Sequence, residues 1–167
     1  TYFHPFPGHY FTGDGAKRDD QSLYRIIGRV DDVINVSGHR FGTAEIELAI
    51  NETFGAVESA VVGFPHEIKG QGIHAYVILD RKMVTLGDEA LRRAVQNAVI
   101  TGIGKIARLD RIQFVSALPK TRSGKIMRRI LRKVAEGEQN SFGDTSTLLD
   151  PACVDLLVSG VKQLALK

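Results

Sequence analysis

Val57-Glu-Ser-Ala-Val-Val-Gly-Phe64 and Ile73-His-Ala-Tyr-Val-Ile-Leu79, held apart by Pro65-His-Glu-Ile-Lys-Gly-Gln-Gly72, set the fold class of this chain. Both outer runs are rich in β-branched residues and the segment between them is heavy with turn formers, so the pattern predicts two sheet strands joined by a loop. Just upstream, residues 44–53 place Ile46, Ala49 and Ile50 on one helical face. Thr43 is the expected N-cap, and Glu45 and Glu47 fall in the first turn, where the helix dipole favours acids. Before that helix, Val33–Val36 reads as a short strand ending in the turn Ser37-Gly-His39.

Further out, Tyr10-Phe-Thr-Gly-Asp-Gly15 reads as a strand running into a tight turn, with a second strand over 22–27. Downstream, 86–100 has helical spacing at Leu91, Val95, Ala98 and Val99, 110–118 supplies another strand, and 120–124 is a polar loop. A basic helix is expected over 126–135, with Ile126, Ile130, Leu131 and Val134 as its packing stripe. Residues 140–151 read as an extended tail on a surface. Strands and helices alternate without strict βαβ regularity, which predicts an α+β domain: a β-hairpin and a three-stranded sheet packed by helices.

At 167 residues, 43% hydrophobic and 25% charged, the chain suffices for one modest core. Cys153 is the only cysteine, which excludes an intramolecular disulfide and a multi-cysteine metal site and makes a reducing compartment the expectation. No apolar run approaches membrane-spanning length. The opening Thr1-Tyr-Phe-His-Pro-Phe-Pro7 lacks an initiator methionine and reads as the middle of a longer protein. The net charge of +3 is unevenly distributed. Lys120, Arg122, Lys125, Arg128, Arg129, Arg132 and Lys133 fall together with no acid among them, which implies an anionic partner: a phosphorylated small molecule, nucleic acid or an acidic protein face.

Lys125 stands in Pro119-Lys-Thr-Arg-Ser-Gly-Lys-Ile-Met-Arg128. A glycine-flanked lysine on a loop suits a cation delivered to a phosphate and then withdrawn; its plainer reading is a solvated lysine before a basic helix. It is not a P-loop, because Pro119 and Ile126 stand where that motif needs glycine and Ser/Thr. Gly13-Asp-Gly15 and Gly102-Ile-Gly-Lys-Ile-Ala107 read as turns, since neither opens a helix in a βαβ unit. Asp14 is either a turn former or a carboxylate for ribose hydroxyls. Arg29 and Arg40 flank tight turns, from which a guanidinium suits ribose or phosphate oxygens. Asp31 and Asp32 repel each other and favour water, which marks an exposed linker and a place for a hinge. The five histidines show no metal-ligand spacing.

Tyr10-Phe-Thr-Gly-Asp14, the run from Gly28 to Glu47, and the run from Leu118 to Lys133 resemble three successive signature motifs of the adenylate-forming superfamily. Within it, these runs and Gly143-Asp-Thr-Ser-Thr-Leu-Leu-Asp-Pro151 are most similar to AMP-forming acetyl-CoA synthetases. The resemblance implies a ligase that converts acetate, ATP with Mg2+ and CoA into acetyl-CoA, AMP and pyrophosphate, with no tightly bound cofactor. It implies three segments: residues 1–30 as the edge of a large N-terminal domain, 31–137 as a mobile C-terminal domain and 138–167 as a surface tail. By the same resemblance Asp14 and Arg29 hold ribose, Asp31 is the hinge, Arg40 lies near the adenylate phosphate, Ser37 and Gly38 line the pantetheine channel, and Lys125 is the adenylation lysine. The implied partners are the large domain and the small-molecule substrates, with a lysine acetyltransferase and deacetylase acting on Lys125, and neither nucleic acid nor membrane. Cytoplasm is the expected location.

The chain departs from that pattern at three places. Ile100 stands where relatives carry a basic residue against the CoA nucleotide, a usual proline is absent from Lys105-Ile-Ala-Arg-Leu-Asp110, and Thr53 replaces a histidine near a magnesium position; no metal ligand is carried over. Two alternatives stay open: a related short-chain (propionyl) acyl-CoA synthetase, and a non-enzymatic module binding nucleic acid through the basic run. That run has no aromatic residue for base stacking.

Overall fold

The two apolar runs pair as long antiparallel strands, β5 (Ala56–His66) and β6 (Gly70–Leu79), in register from Glu58↔Ile78 to His66↔Gly70, with a bulge between Glu58 and the Ala56↔Leu79 pair. The computed structural model describes residues 3, 4, 6–80, 82, 87–138 and 140–165. Leu86, where the expected second helix begins, lies outside them, as do Thr1, Tyr2, Pro5, Gln139, Leu166 and Lys167 of the expected end segments.

Strand β6 is central. Its far edge takes β7 (Arg111–Val115) in parallel over His74–Ile78 and, at Gly70, the hairpin of β3 (Val33–Val36) and β4 (His39–Gly42). The expected three-stranded sheet is thus β5, β6 and β7, widened to five strands by that hairpin. A separate hairpin pairs β1 (Asp14–Arg18) with β2 (Tyr24–Arg29).

Both faces of the sheet are covered, which is why the middles of β5 (59–64) and β6 (72–77) are buried without a break. Val61, Ile73, Ala75 and Val77 pack with α1 (Thr43–Asn51) and α2 (Asp88–Gly102). Ala60, Val62, Phe64 and Tyr76 pack on the opposite side with α3 (Arg128–Ala135) and α4 (Ala152–Ala165). The period of two along each strand therefore divides one sheet between two cores.

Several local expectations change. Gly42, not Thr43, caps α1, and Thr43 is buried as its first helical residue. Helix α3 begins at Arg128 and not at Ile126, because Ile126 bridges back to Lys120. The largest difference is at the chain end. The segment read as a surface tail contains α4, which buries Cys153, Val154 and Leu157 against the α3 side of the sheet. Gln113 Nε2 donates to Leu157 O at 3.0 Å, and a Cβ at Gly160 would come within 2.1 Å of that nitrogen, so Gly160 gives the helix its close seat.

His74 is fully buried in this second core. Its ring stacks on Tyr76 at 4.2 Å, Phe64 meets it edge-on at 6.4 Å, and neither ring nitrogen has a hydrogen-bond partner. Burial, reinforced by the Arg111 guanidinium, lowers its pKa to about 3. The unfolded chain therefore binds the proton first as pH falls below the ordinary value near 6.5, and stability is lost from there down toward pH 3 at a limiting slope of about 1.4 kcal/mol per pH unit. Urea unfolding of wild type and His74→Phe at pH 7 and pH 5 checks this. The wild type is expected to lose more stability over that interval, and parallel losses would show that His74 is not the group responsible.

Candidate functional site

Three clusters hold the residues singled out from the sequence. The first is the β1–β2 hairpin, whose register sets Asp14 directly opposite Arg29. Arg29 Nη1 donates to Thr12 O at 3.1 Å and lies 3.7 Å from Asp14 Oδ1, while Nε donates to Asp31 Oδ1 at 3.0 Å. That hydrogen bond holds the Asp31 carboxyl below its ordinary pKa. Gly13 makes the approach feasible: it adopts φ +78, and a Cβ there would meet Arg29 Nη2 at 2.9 Å. Asp14, Arg29 and Asp31 are thus brought together.

The second cluster is the tip of the β3–β4 hairpin. Ser37 and Gly38 have φ of 50° and 85°, positive at both central positions of a two-residue turn, as the twist of a tight hairpin favours. Ser37 N donates to Lys69 O at 2.9 Å, which ties the tip to the β5–β6 turn. A Cβ at Gly38 would meet nothing within 4 Å, so the glycine is required by backbone conformation and leaves open space outside the turn. Arg40, on β4 opposite Asn35, is exposed.

The third is the lysine loop, a small hairpin of its own. Thr121 N donates to Lys125 O at 2.9 Å, Lys125 N donates to Thr121 Oγ1 at 3.1 Å, and Met127 N donates to Pro119 O at 2.7 Å. Leu148, from the segment leading to α4, bridges Thr121, and Leu149 N donates to Lys120 O at 2.8 Å. Backbone bonds therefore hold the loop from two sides, while the Lys125 side chain is exposed and has no carboxylate partner among the described residues.

The basic run is not the free patch its letters suggest. Lys120 pairs with Glu58 at 2.7 Å, Arg128 Nη2 donates to both oxygens of Glu47 at 2.8 and 2.7 Å, and Arg132 lies 3.5 Å from Asp32. Arg129 donates to the carbonyls of Phe142 and Asp144. Acids distant in sequence thus neutralise much of the charge.

Glu47, Asp32, Arg128 and Arg132 form a network that the sequence did not reveal. Asp31 and Asp32 do not share one exposed environment: their side chains are 68% and 19% exposed, the first turned to Arg29 and the second to Arg128 and Arg132. One acid ties the linker to the β1–β2 hairpin, and the next ties it to α3, the helix that follows the lysine loop. Glu47 Oε1 also accepts Val61 N–H at 2.8 Å. Burial raises the Glu47 pKa, and Arg128 offsets that rise only in part.

Residues 45–125 match the AMP-binding enzyme C-terminal domain family. The chain is similar to the acetyl-coenzyme A synthetases of Methylobacterium radiotolerans, 60% identical over 158 residues, and of Bradyrhizobium diazoefficiens, 61% identical over 158 residues. In each case 95% of the chain aligns with 24% of the relative, so it spans about a quarter of the length of the curated relatives it matches. Among solved structures it resembles the anthranilate CoA ligase AuaEII in complex with anthranoyl-AMP, with a TM-score of 0.70 and 32% identity over 78% of this chain and 25% of that one. It also resembles ATP-bound MatB from Rhodopseudomonas palustris, with a TM-score of 0.66 and 31% identity over 76% of this chain and 24% of that one.

Proposed function

We infer that this chain, whose residues 45–125 match the AMP-binding enzyme C-terminal domain family, is the C-terminal part of an AMP-forming acetate–CoA ligase. The observation that carries the mechanism is the exposed Lys125 ammonium, without a carboxylate partner among the described residues, at the tip of a braced hairpin on a different loop from the 37–38 turn.

In the first half-reaction an acetate oxygen attacks the α-phosphorus of Mg-ATP, the α–β phosphoanhydride bond breaks and pyrophosphate leaves. Lys125 bridges the acyl carboxylate and phosphate oxygens as charge builds in line. Asp14 and Arg29 hold the ribose, and Arg40 lies near the adenylate phosphate. The unit from residue 31 onward then turns about Asp31, carrying α4 with it because α4 is packed into the second core. Lys125 leaves, the 37–38 turn arrives, and the CoA sulfur attacks the acyl carbon, releasing AMP. Residues 1–30 belong in this reading to the edge of a large domain. Support comes from Leu23, Tyr24 and Ile26, which are 62%, 71% and 66% exposed.

Acetate as the acyl substrate rests on the relatives' names, and propionate is the nearest alternative. Acetate-dependent ATP–pyrophosphate exchange by the longer protein carrying this chain tests the reading. Exchange with acetate, exceeding that with propionate, is expected; no exchange with either acid overturns it. Lys125 is exposed to an acetyltransferase, and acetylation would remove the charge that the first step uses, to be restored by a deacetylase. The cytoplasm suits a chain with one buried, unpaired cysteine. Among the described residues no helix is long and apolar enough to cross a membrane.

Gly38→Leu is expected to slow the thioester-forming half-reaction about tenfold or more, because the new side chain fills the open side of the turn and misplaces the thiol. The left-handed backbone adds about 1 kcal/mol of strain. Stopped reactions started from supplied acetyl-adenylate check this, and an unchanged rate would remove the 37–38 turn from the CoA path.

A further inference from the structure

Resting on the reading of Lys125 as the adenylation lysine, we propose that Arg129 is a positioning residue for it, acting through a clasp that seats residues 142–149 against the lysine loop. Arg129 stands four residues after Lys125 in the first turn of α3, where a cation opposes the helix dipole and no acid accompanies it. Its neighbour Arg128 is accounted for by Glu47. Arg129 has a different use: its two terminal nitrogens donate to the carbonyls of Phe142 and Asp144, two residues apart. A planar fork serves two such acceptors at once, a fit that the point charge of a lysine ammonium does not reproduce.

The clasp falls where the segment has least else to hold it. Leu148 is buried and Phe142 half-buried, both packed in the second core, but residues 143–147 between them are exposed. Gly143 makes the approach feasible: its φ is +71, and a Cβ there would meet Arg129 Nη1 at 2.9 Å. A turn follows, with Asp144 Oδ1 accepting Ser146 N–H at 2.9 Å and Thr145 O accepting Leu148 N–H at 3.0 Å. That turn delivers Leu148 to its bridge with Thr121, and Leu149 N–H to Lys120 O. Thr121 then makes the two bonds that fix the Lys125 backbone. Arg129 and Lys125 are thus joined by an unbroken series of contacts through residues 142–149 and 120–121. Placing the ammonium to within about an ångström is what the in-line step requires of them.

The test uses the longer protein carrying this chain, as wild type, Arg129→Gln, Arg129→Lys and Gly143→Ala, the last opening the clasp from its other side by crowding the guanidinium. For Arg129→Gln the expected result is a fall of about tenfold in kcat for acetate-dependent ATP–pyrophosphate exchange, with KM for ATP within about twofold of wild type. Thioester formation from supplied acetyl-adenylate keeps its wild-type rate, and the Thr121 and Lys125 amides take up deuterium about tenfold faster. Gly143→Ala should match Arg129→Gln, the double variant should be no slower than either single one, and Arg129→Lys should recover part of the rate. Equal losses in both half-reactions, an unaltered kcat, or amides as protected as in wild type would each overturn the proposal. Lys125→Ala, assayed alongside, separates this proposal from the reading beneath it. If that variant keeps pyrophosphate exchange, the reading of Lys125 fails and the proposal with it; if it loses exchange while the clasp variants do not, the proposal alone fails.

Discussion

Lys125→Ala is expected to lower acetate-dependent ATP–pyrophosphate exchange by about two to three decades, since a preorganised cation at developing charge contributes roughly 3 to 4 kcal/mol. The same substitution leaves folding almost untouched. The side chain is exposed and pairs with no carboxylate among the described residues, and the loop is held by backbone bonds through Thr121, Met127 and Leu149 that alanine retains. Exchange kinetics and a thermal melt on one preparation therefore separate chemistry from structure. Lys125→Arg tests shape at constant charge: a bulky planar guanidinium should recover little of the rate. An alanine variant that keeps wild-type exchange would remove Lys125 from the adenylation step.

Arg128→Ala is the substitution with the largest expected effect on stability. The Glu47 side chain is only 12% exposed, its pKa is already raised by burial, and Arg128 is the cation it faces at 2.7 Å. Removing the guanidinium strands a carboxylate in the core. The usual cost of breaking a buried pair is about 3 to 5 kcal/mol, and because Arg128 is a quarter exposed the lower end applies, about 3 kcal/mol. In a chain of 167 residues this corresponds to a fall in melting temperature of roughly 6 to 12 °C. Replacing both partners with leucine should recover only part of the loss: no unpaired carboxylate is then buried, but the Val61 N–H loses the acceptor that Glu47 gave it. Equal melting temperatures for wild type and Arg128→Ala would mean that Glu47 is solvated or neutral in the folded chain.

The sheet was legible because its signals are local. β-branched runs flanking a glycine-rich turn make β5 and β6, and the Ser-Gly pair between Val36 and His39 makes the left-handed hairpin. Lys125 was legible for the same reason, as loop chemistry lies in adjacent letters. Pairings between distant residues were not. Glu47 and Arg128 are 81 positions apart, and nothing near Asp32 distinguishes it from Asp31 until α3 is folded against it. Residues 126 and 127 extend the helical stripe in sequence, yet the bridge from Ile126 to Lys120 takes that backbone out of the helix. Helix α4 did carry a signal, with Cys153, Val154, Leu157, Val158 and Val161 at helical spacing, but Ser159-Gly160 sits inside it and reads as a breaker. That glycine is there because Gln113 comes too close for a side chain.

The central claim is that one lysine serves only the first of two half-reactions, and it is tested most directly by supplying the intermediate. Acetyl-adenylate and CoA are mixed with the Lys125→Ala form of the longer protein, and acetyl-CoA is measured in a single turnover. A rate close to wild type is expected despite the loss of exchange. A loss as large as that in exchange would contradict it, because Lys125 would then act in both steps and no alternation about Asp31 would be needed.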